Sequence, residues 1–318
     1  MIARRAASTT LWAAGSLACL VATAVACGAC GAADAGPSAP SAAAPVDTSS
    51  SLDARDASSS TSTGPSSSAP DASPDASPDA AGPPAALACL AKLYVGTPVA
   101  AGASSGGWAL HLASGTELAW NDGKVKSFDE ALATPDLEDT LAMPYPTGAI
   151  KPVATLNDDP GRIRSDALLK ATFGASATAV EQELVNVDFV GQTVRFHTRA
   201  AAALRKVSTR LEQLVAQTPS LAAYVTGTLG GTYEWRPIAN TNRLSAHSYG
   251  IAIDIVVSKS NYWEWEKTGT TFVWKNQIPQ AVVDAFEAEG FAWGGRWYHY
   301  DTMHFEYRPE LFDPACKP

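Results

Sequence analysis

Basic residues are in short supply: 23 Lys and Arg stand against 32 Asp and Glu, a net charge of −9 over 318 residues. That balance excludes nucleic acid and anionic membrane surfaces as main electrostatic partners. A long apolar run is also missing. The N-terminal stretch Leu11–Ala26 is short and rich in Ala and Gly, whereas a membrane span needs about 20 strongly apolar residues. Large apolar side chains are nearly absent from Ala33 to Pro84, which excludes a packed core there. Histidine and cysteine number five each, so each one needs an explanation.

What is present at the N-terminus reads as an export signal. Arg4 and Arg5 precede the apolar run, which closes on Ala24-Val-Ala26-Cys27. A basic start, an apolar centre and a small-x-small end describe a secretory signal over residues 1–26. Cys27 stands where a lipoprotein signal places its acylated cysteine, although Ala24 replaces the usual Leu. Acylation, which would tether the protein to a membrane, is preferred to simple cleavage after Ala26. Exposed unpaired thiols are a liability in an oxidising compartment. Cys30 is unexplained on either reading. The expected location is the cell envelope or periplasm.

Residues 27–84 are dominated by Ala, Ser, Pro and Asp, with Ser-Pro-Asp-Ala repeated at 73–76 and 77–80. This composition predicts a disordered stalk. It would span roughly 40 Å as a flexible coil. The folded part is expected over 85–318, long enough for one core. Cys89 and Cys316 stand at its two ends, and in an exported protein they read as a disulfide. Two buried free thiols are the alternative.

Within the domain, Trp108–Gly148 offers turns and short apolar segments, read as strands and loops. Ser165 caps an expected helix that stops before Gly174. Asp159, Arg162 and Arg164, just ahead of it, read as surface or inter-loop ion pairs. Gln192–His197 alternates as a strand would. A helix follows over 199–217, with Leu204, Val207, Leu211, Leu214 and Val215 on one face. His197, at the junction, reads as structural. Pro279 opens another helix that Gly290 ends. The fold class expected from this irregular alternation is α+β, a small antiparallel sheet with flanking helices.

Two stretches carry chemistry: Ser245-Ala-His247-Ser-Tyr-Gly250-Ile-Ala252-Ile-Asp254 and Asp301-Thr-Met-His304-Phe-Glu306. Asp254 is the one charge in the apolar run Gly250–Val257, and a carboxylate inside a strand is costly unless paired or metal-bound. On strands, Ile253 and Ile255 face away from Asp254, while Met303 and Phe305 face away from His304 and Glu306. A catalytic zinc site wants three N/O ligands and a base that is not itself a ligand. Reading His247, Asp254 and His304 as ligands leaves Asp301 for that base.

The two stretches together resemble a known pattern, S-x-H-x-x-G-x-A-x-D followed by E/D-x-x-H. It belongs to the zinc peptidases that comprise D-alanyl-D-alanine carboxypeptidases and L-alanyl-D-glutamate endopeptidases. Vancomycin-resistance D,D-peptidases and some phage endolysins are members, and the fold resembles the Hedgehog signalling domain. Ser245, His247, Gly250, Ala252, Asp254, Asp301 and His304 fill every specified position. The likeness is strong over about 230–311, within a motif core at about 190–311, and has no counterpart over 88–190.

The resemblance implies Zn²⁺ held by His247, Asp254 and His304, with Asp301 as general base. It also implies an upstream arginine at the oxyanion or substrate, for which Arg236 is the first choice and Arg243 the second. Ser245 and His299 are candidate substrate contacts. Trp263, Trp265, Trp293 and Trp297 are candidates for an aromatic wall. The implied substrates are peptidoglycan stem peptides. Asp301 is one methylene shorter than the Glu of the carboxypeptidase members, and Asp-x-x-His-Phe-Glu looks more like the endopeptidase branch. Cleavage between L-Ala and D-Glu is therefore favoured over release of terminal D-Ala. A non-catalytic wall-binding module with structural zinc is the rival reading.

Overall fold

The computed structural model describes residues 83–94, 100–104 and 106–317, all within one compact unit, Pro70–Pro318. The expected signal, Cys27 and nearly all of the stalk lie outside the described residues. The described part opens with α1 (Ala85–Leu93), then β1 (Ala100–Ser104), β2 (Gly107–His111) and β3 (Glu117–Ala119). These three strands form an antiparallel sheet in chain order.

The next helix, α2 (Phe128–Ala133), falls where only strands and loops were expected. Its signal is local. Ser127 Oγ accepts the Glu130 amide while the Glu130 side chain returns to the Ser127 amide, a capping box. Downstream, α3 (Asp166–Phe173) has Ser165 as N-cap and Gly174 at its end, as the sequence predicts. Then come α4 (Ala177–Gln182) and the hairpin of β4 (Leu184–Phe189) and β5 (Gln192–His197). In α5 (Thr198–Gln217), the expected stripe of Leu204, Val207 and Leu211 is buried. Leu214 and Val215 are only partly buried near its end. His197 caps α5 through Nδ1 and bonds the Phe173 carbonyl through Nε2 at 3.0 Å. That is the structural role expected of it.

The chain then runs through α6 (Ala222–Val225), β6 (Leu229–Gly231), β7 (Ala252–Val256), α7 (Trp263–Glu266), α8 (Gln280–Glu287), β8 (Phe291–Trp293) and β9 (His304–Tyr307). Four of these make an antiparallel sheet in the order β6-β7-β9-β8. The structure is thus α+β with small antiparallel sheets. No described helix is long and apolar enough to cross a membrane.

The two faces of the central strands have opposite fates. Ile253, Ile255 and Phe305 are fully buried, and Phe305 stacks on Phe286 of α8 at 3.9 Å. Each such side chain contributes roughly 1.5–3 kcal/mol by leaving water. Asp254 and His304 stand directly opposite each other in the β7–β9 register, on the other face. Met303 meets expectation only in part. It lies just before β9 and is buried as expected, but it lines the cleft as well, outside the main hydrophobic cluster.

Cys89 of α1 is bonded to Cys316, 227 residues away. The bridge ties the first helix to the last turn of the described chain. The loop-entropy argument assigns a closure of this length about 5 kcal/mol as an upper bound. Cys89→Ala with Cys316→Ala is expected to lower the melting temperature by about 5–15 °C, the equivalent of roughly 2–5 kcal/mol in a domain this size. An unchanged melting curve would show that the bridge adds nothing.

Candidate metal centre and its cleft

His247 sits in a single 3-10 turn, Ala246–Tyr249, that leads into β7. Ser245 Oγ accepts the His247 amide at 3.3 Å, so the motif serine caps this turn while also lining the cleft. Gly250 ends the turn with φ 64°, and a Cβ there would lie 2.5 Å from Leu184. Both constraints favour glycine. The turn carries His247 back over the face that bears Asp254 and His304.

The three donor atoms form a small triangle. His247 Nε2 lies 3.2 Å from Asp254 Oδ1 and 3.2 Å from His304 Nδ1, and the third edge is 3.0 Å. Tetrahedral zinc with ligand bonds near 2.0–2.1 Å sets donors about 3.3 Å apart. The outer nitrogens fix the tautomers. His247 Nδ1 donates to the Thr232 carbonyl at 2.9 Å, and His304 Nε2 donates to Glu306 at 3.2 Å. Each ring therefore turns its other nitrogen towards the Asp254 carboxylate, an arrangement that requires a cation or a proton.

In the metal-free protein the charges respond accordingly. Burial opposes the Asp254 charge, yet the facing His247 and His304 hold its carboxyl well below the usual carboxylate range. Burial likewise opposes charge on His304, but hydrogen bonds to Asp254 and Glu306 push it up to about 10. Glu306 is fully buried. Burial works against its charge as well, and Arg164, His304 and Arg308 outweigh it, holding the carboxyl below its ordinary value.

Asp301 lines the same cleft and is not part of the triangle. Its Oδ1 is buried without a hydrogen-bond partner. Burial, helped by the nearby Asp254 charge, pushes its pKa up to about 7. An orphaned carboxylate oxygen beside three converging donors is the feature that fits a metal with its water.

The remaining candidates divide. Arg236 lines the cleft, but its side chain is 42% exposed and paired with Glu234 at 2.9 Å. Its backbone is fixed, since the Arg236 amide donates to Ser248 Oγ and that hydroxyl donates to the Arg236 carbonyl. Arg243 also lines the cleft, where burial and the charges of Arg164 and Arg162 lower its pKa and Asp166 and Glu306 oppose them. His299 is held by Asp159, which accepts from Nδ1 at 2.6 Å and from the His299 amide at 2.9 Å.

Of the surface or inter-loop ion pairs expected at Asp159, Arg162 and Arg164, the structure has the inter-loop kind: Asp159 meets Arg162 and His299, and Arg164 meets Glu306. Asp159 is fully buried, while Arg162 and Arg164 line the cleft. Nothing in the local sequence shows that this turn meets His299, 140 residues away. The aromatic set needs correction. Trp263, Trp265 and Trp297 line the cleft, whereas Trp293 is fully buried with its indole N–H on the Thr302 carbonyl. The cleft encloses about 310 Å³.

Set beside known proteins, residues 239–307 match the family model described as D-alanyl-D-alanine carboxypeptidase. The matched segment runs from the loop before His247 to the end of β9, and so includes all three donors and Asp301. It does not include Asp159, Arg162 or Arg164, which reach the cleft from outside it.

Proposed function

We propose that the protein is an exported zinc metallopeptidase that hydrolyses peptide bonds in the stem peptides of peptidoglycan. The observation that carries this reading is the triangle of His247, Asp254 and His304 with the unpartnered Asp301 beside it. Zinc held by those three residues would supply a Lewis acid and lower the pKa of a bound water. Asp301, kept basic by burial and by the Asp254 charge, takes the proton of the attacking water. It then returns that proton to the leaving amine. Arg236 would have to release Glu234 to reach the oxyanion, a short move for a half-exposed side chain. The aromatic rings of Trp263 and Trp297 narrow the cleft around the substrate backbone.

The bond favoured is that between L-Ala and D-Glu, on the strength of the Asp-x-x-His form of the second motif. Release of terminal D-Ala is the second reading, supported by the cationic lining of the cleft. The sheet arrangement is taken as the Hedgehog-like one that the motifs imply, and the domain as 85–318. A lipid tether at Cys27, with 27–84 as stalk, would keep the domain at the wall. Membrane partitioning that persists in Cys27→Ser would remove the tether from this reading.

A defined pentapeptide-stem muropeptide tests the activity. Incubation with the zinc-loaded chain is expected to yield fragments cut after L-Ala, read by mass spectrometry. Free D-alanine as the main early product would move the assignment to the carboxypeptidase. No chelator-sensitive fragment of either kind would overturn the peptidase reading.

A further inference from the structure

Trp265 is 60% exposed, and among the described residues it is the one aromatic in the set of large exposed apolar side chains, which also holds Val125, Leu156 and Val273. It alone of that set lines the cleft shared with the donor triangle. Among the described residues its ring meets one other, Tyr262, nearly perpendicular to it with centroids 5.6 Å apart. At least one face of the indole is therefore bare. The other cleft indoles are engaged within the protein. Trp263 packs against His299 at 4.8 Å and Phe272 at 5.3 Å and takes Lys267 over its face, while Trp297 gives its N–H to the Pro160 carbonyl. A lone exposed ring elsewhere on the surface would need no explanation. One held in the wall of a site cleft does.

The position of Trp265 is fixed, and it is fixed relative to Asp301. The one-turn helix α7 is clamped to the segment that carries the proposed base. Tyr262 and Asp301 form an isolated antiparallel bridge. Trp263 N donates to the Tyr300 carbonyl at 3.0 Å, and Thr302 N to that of Asn261 at 2.9 Å. Asn261 N in turn donates to Thr302 Oγ1 at 2.7 Å. Trp265 N donates to the Tyr262 carbonyl at 3.0 Å, so the ring stands three residues, about 4.5 Å of helical rise, from the bridge partner of Asp301. A ring already in place loses little entropy when a ligand docks on it. Glu264 lines the same cleft, and Lys267 lies 3.6 Å from its carboxylate. That is too long for a hydrogen bond and leaves the oxygens able to accept others.

We propose that Trp265, with Glu264 beside it, is a stacking platform for a sugar ring of the substrate, namely the amino sugar to which the stem peptide is joined. The proposal rests on the peptidase reading and deepens it. A pyranose has a face of C–H groups and a rim of hydroxyls. The face packs on a bare indole, and the rim donates to a carboxylate such as Glu264. An anionic lipid surface fits less well, because Glu264 and Glu266 flank the ring in sequence. The spacing agrees as well. The stem's L-Ala is joined to the sugar through its amine. One residue and a short acyl link, about 7 Å of extended chain, thus separate the sugar from the L-Ala–D-Glu bond. From the D-Ala–D-Ala bond the sugar is four residues away, about 14 Å. A platform so near Asp301 along the backbone suits the nearer bond.

Calorimetry on the full-length chain, stripped of metal so that nothing is cleaved, tests this. Two ligands are compared: L-Ala-D-Glu γ-linked to lysine with N-acetylmuramic acid on its amine, and the same peptide with a plain acetyl group there. The sugar-bearing ligand is expected to bind about 3- to 10-fold more tightly, the scale of one aromatic contact. Trp265→Ala should bring the pair within about 1.5-fold, while Trp265→Tyr retains part of the preference. A purely structural tryptophan would weaken both ligands alike and leave their ratio unchanged. Equal binding of the two ligands by the parent chain, or an unchanged ratio in Trp265→Ala, would overturn the platform. Sedimentation of the parent but not of Trp265→Ala with phosphatidylcholine vesicles, without a sugar preference, would overturn it in favour of a lipid surface. A sugar preference without cleavage by the zinc-loaded chain would leave the platform standing and remove the peptidase. Cleavage without a sugar preference would do the reverse.

Discussion

Replacing His304 by alanine is expected to leave the chain without zinc and to bring hydrolysis down to background. The parent should hold about one ion, as a three-ligand catalytic site does. His304 supplies one corner of a triangle whose edges are 3.0–3.2 Å. Two donors cannot hold the ion against buffer or chelator as three do. His247→Ala should behave alike, because its ring is equally committed by the Thr232 carbonyl. Occupancy in the parent should also fall as pH drops, since a proton on His304 occupies the same lone pair as the metal. Elemental analysis of the purified variants decides the matter. Full occupancy in both would sink the ligand assignment, whatever the activity.

Asp301→Ala should keep its zinc and its fold and still lose about 10²–10⁴-fold in kcat, the range for a general base. The contrast with the histidine variants is the point. Asp301 stands outside the donor triangle, so its loss removes proton transfer without removing the ion. Its unpartnered Oδ1 also means that truncation breaks no hydrogen bond of that atom. A variant with normal metal content, a normal melting curve and the parental rate would exclude Asp301 as base. It would turn attention to His299, which the fully buried Asp159 holds in a fixed orientation in the same cleft. A parent with one zinc and no hydrolysis of any stem would favour the wall-binding module instead.

Much of the site was legible because its parts are local. The spacing from His247 through Gly250 to Asp254 encodes a turn followed by a strand. Period-two alternation then places Ile253 and Ile255 opposite Asp254 without reference to the rest of the chain. The two cysteines at the ends of the domain could be paired by compartment alone, and the structure joins them. The helix at Phe128–Ala133 was equally local, since its capping box Ser127-x-x-Glu130 is written in four residues.

What sequence by itself determined, then, was the chemistry of the donors and the face on which each stands. Those depend on side-chain identity and on backbone periods, both short-range. Tertiary structure decided which partners they meet. It set Asp254 opposite His304 in the β7–β9 register, drew the Asp159–Arg164 turn against His299 and Trp297, and left Arg243 beside two other arginines. It also buried Trp293 while leaving Trp297 at the cleft. Such pairings join residues up to about 140 positions apart. Only the packing of the whole core fixes which distant loops come together, because no local pattern carries that information.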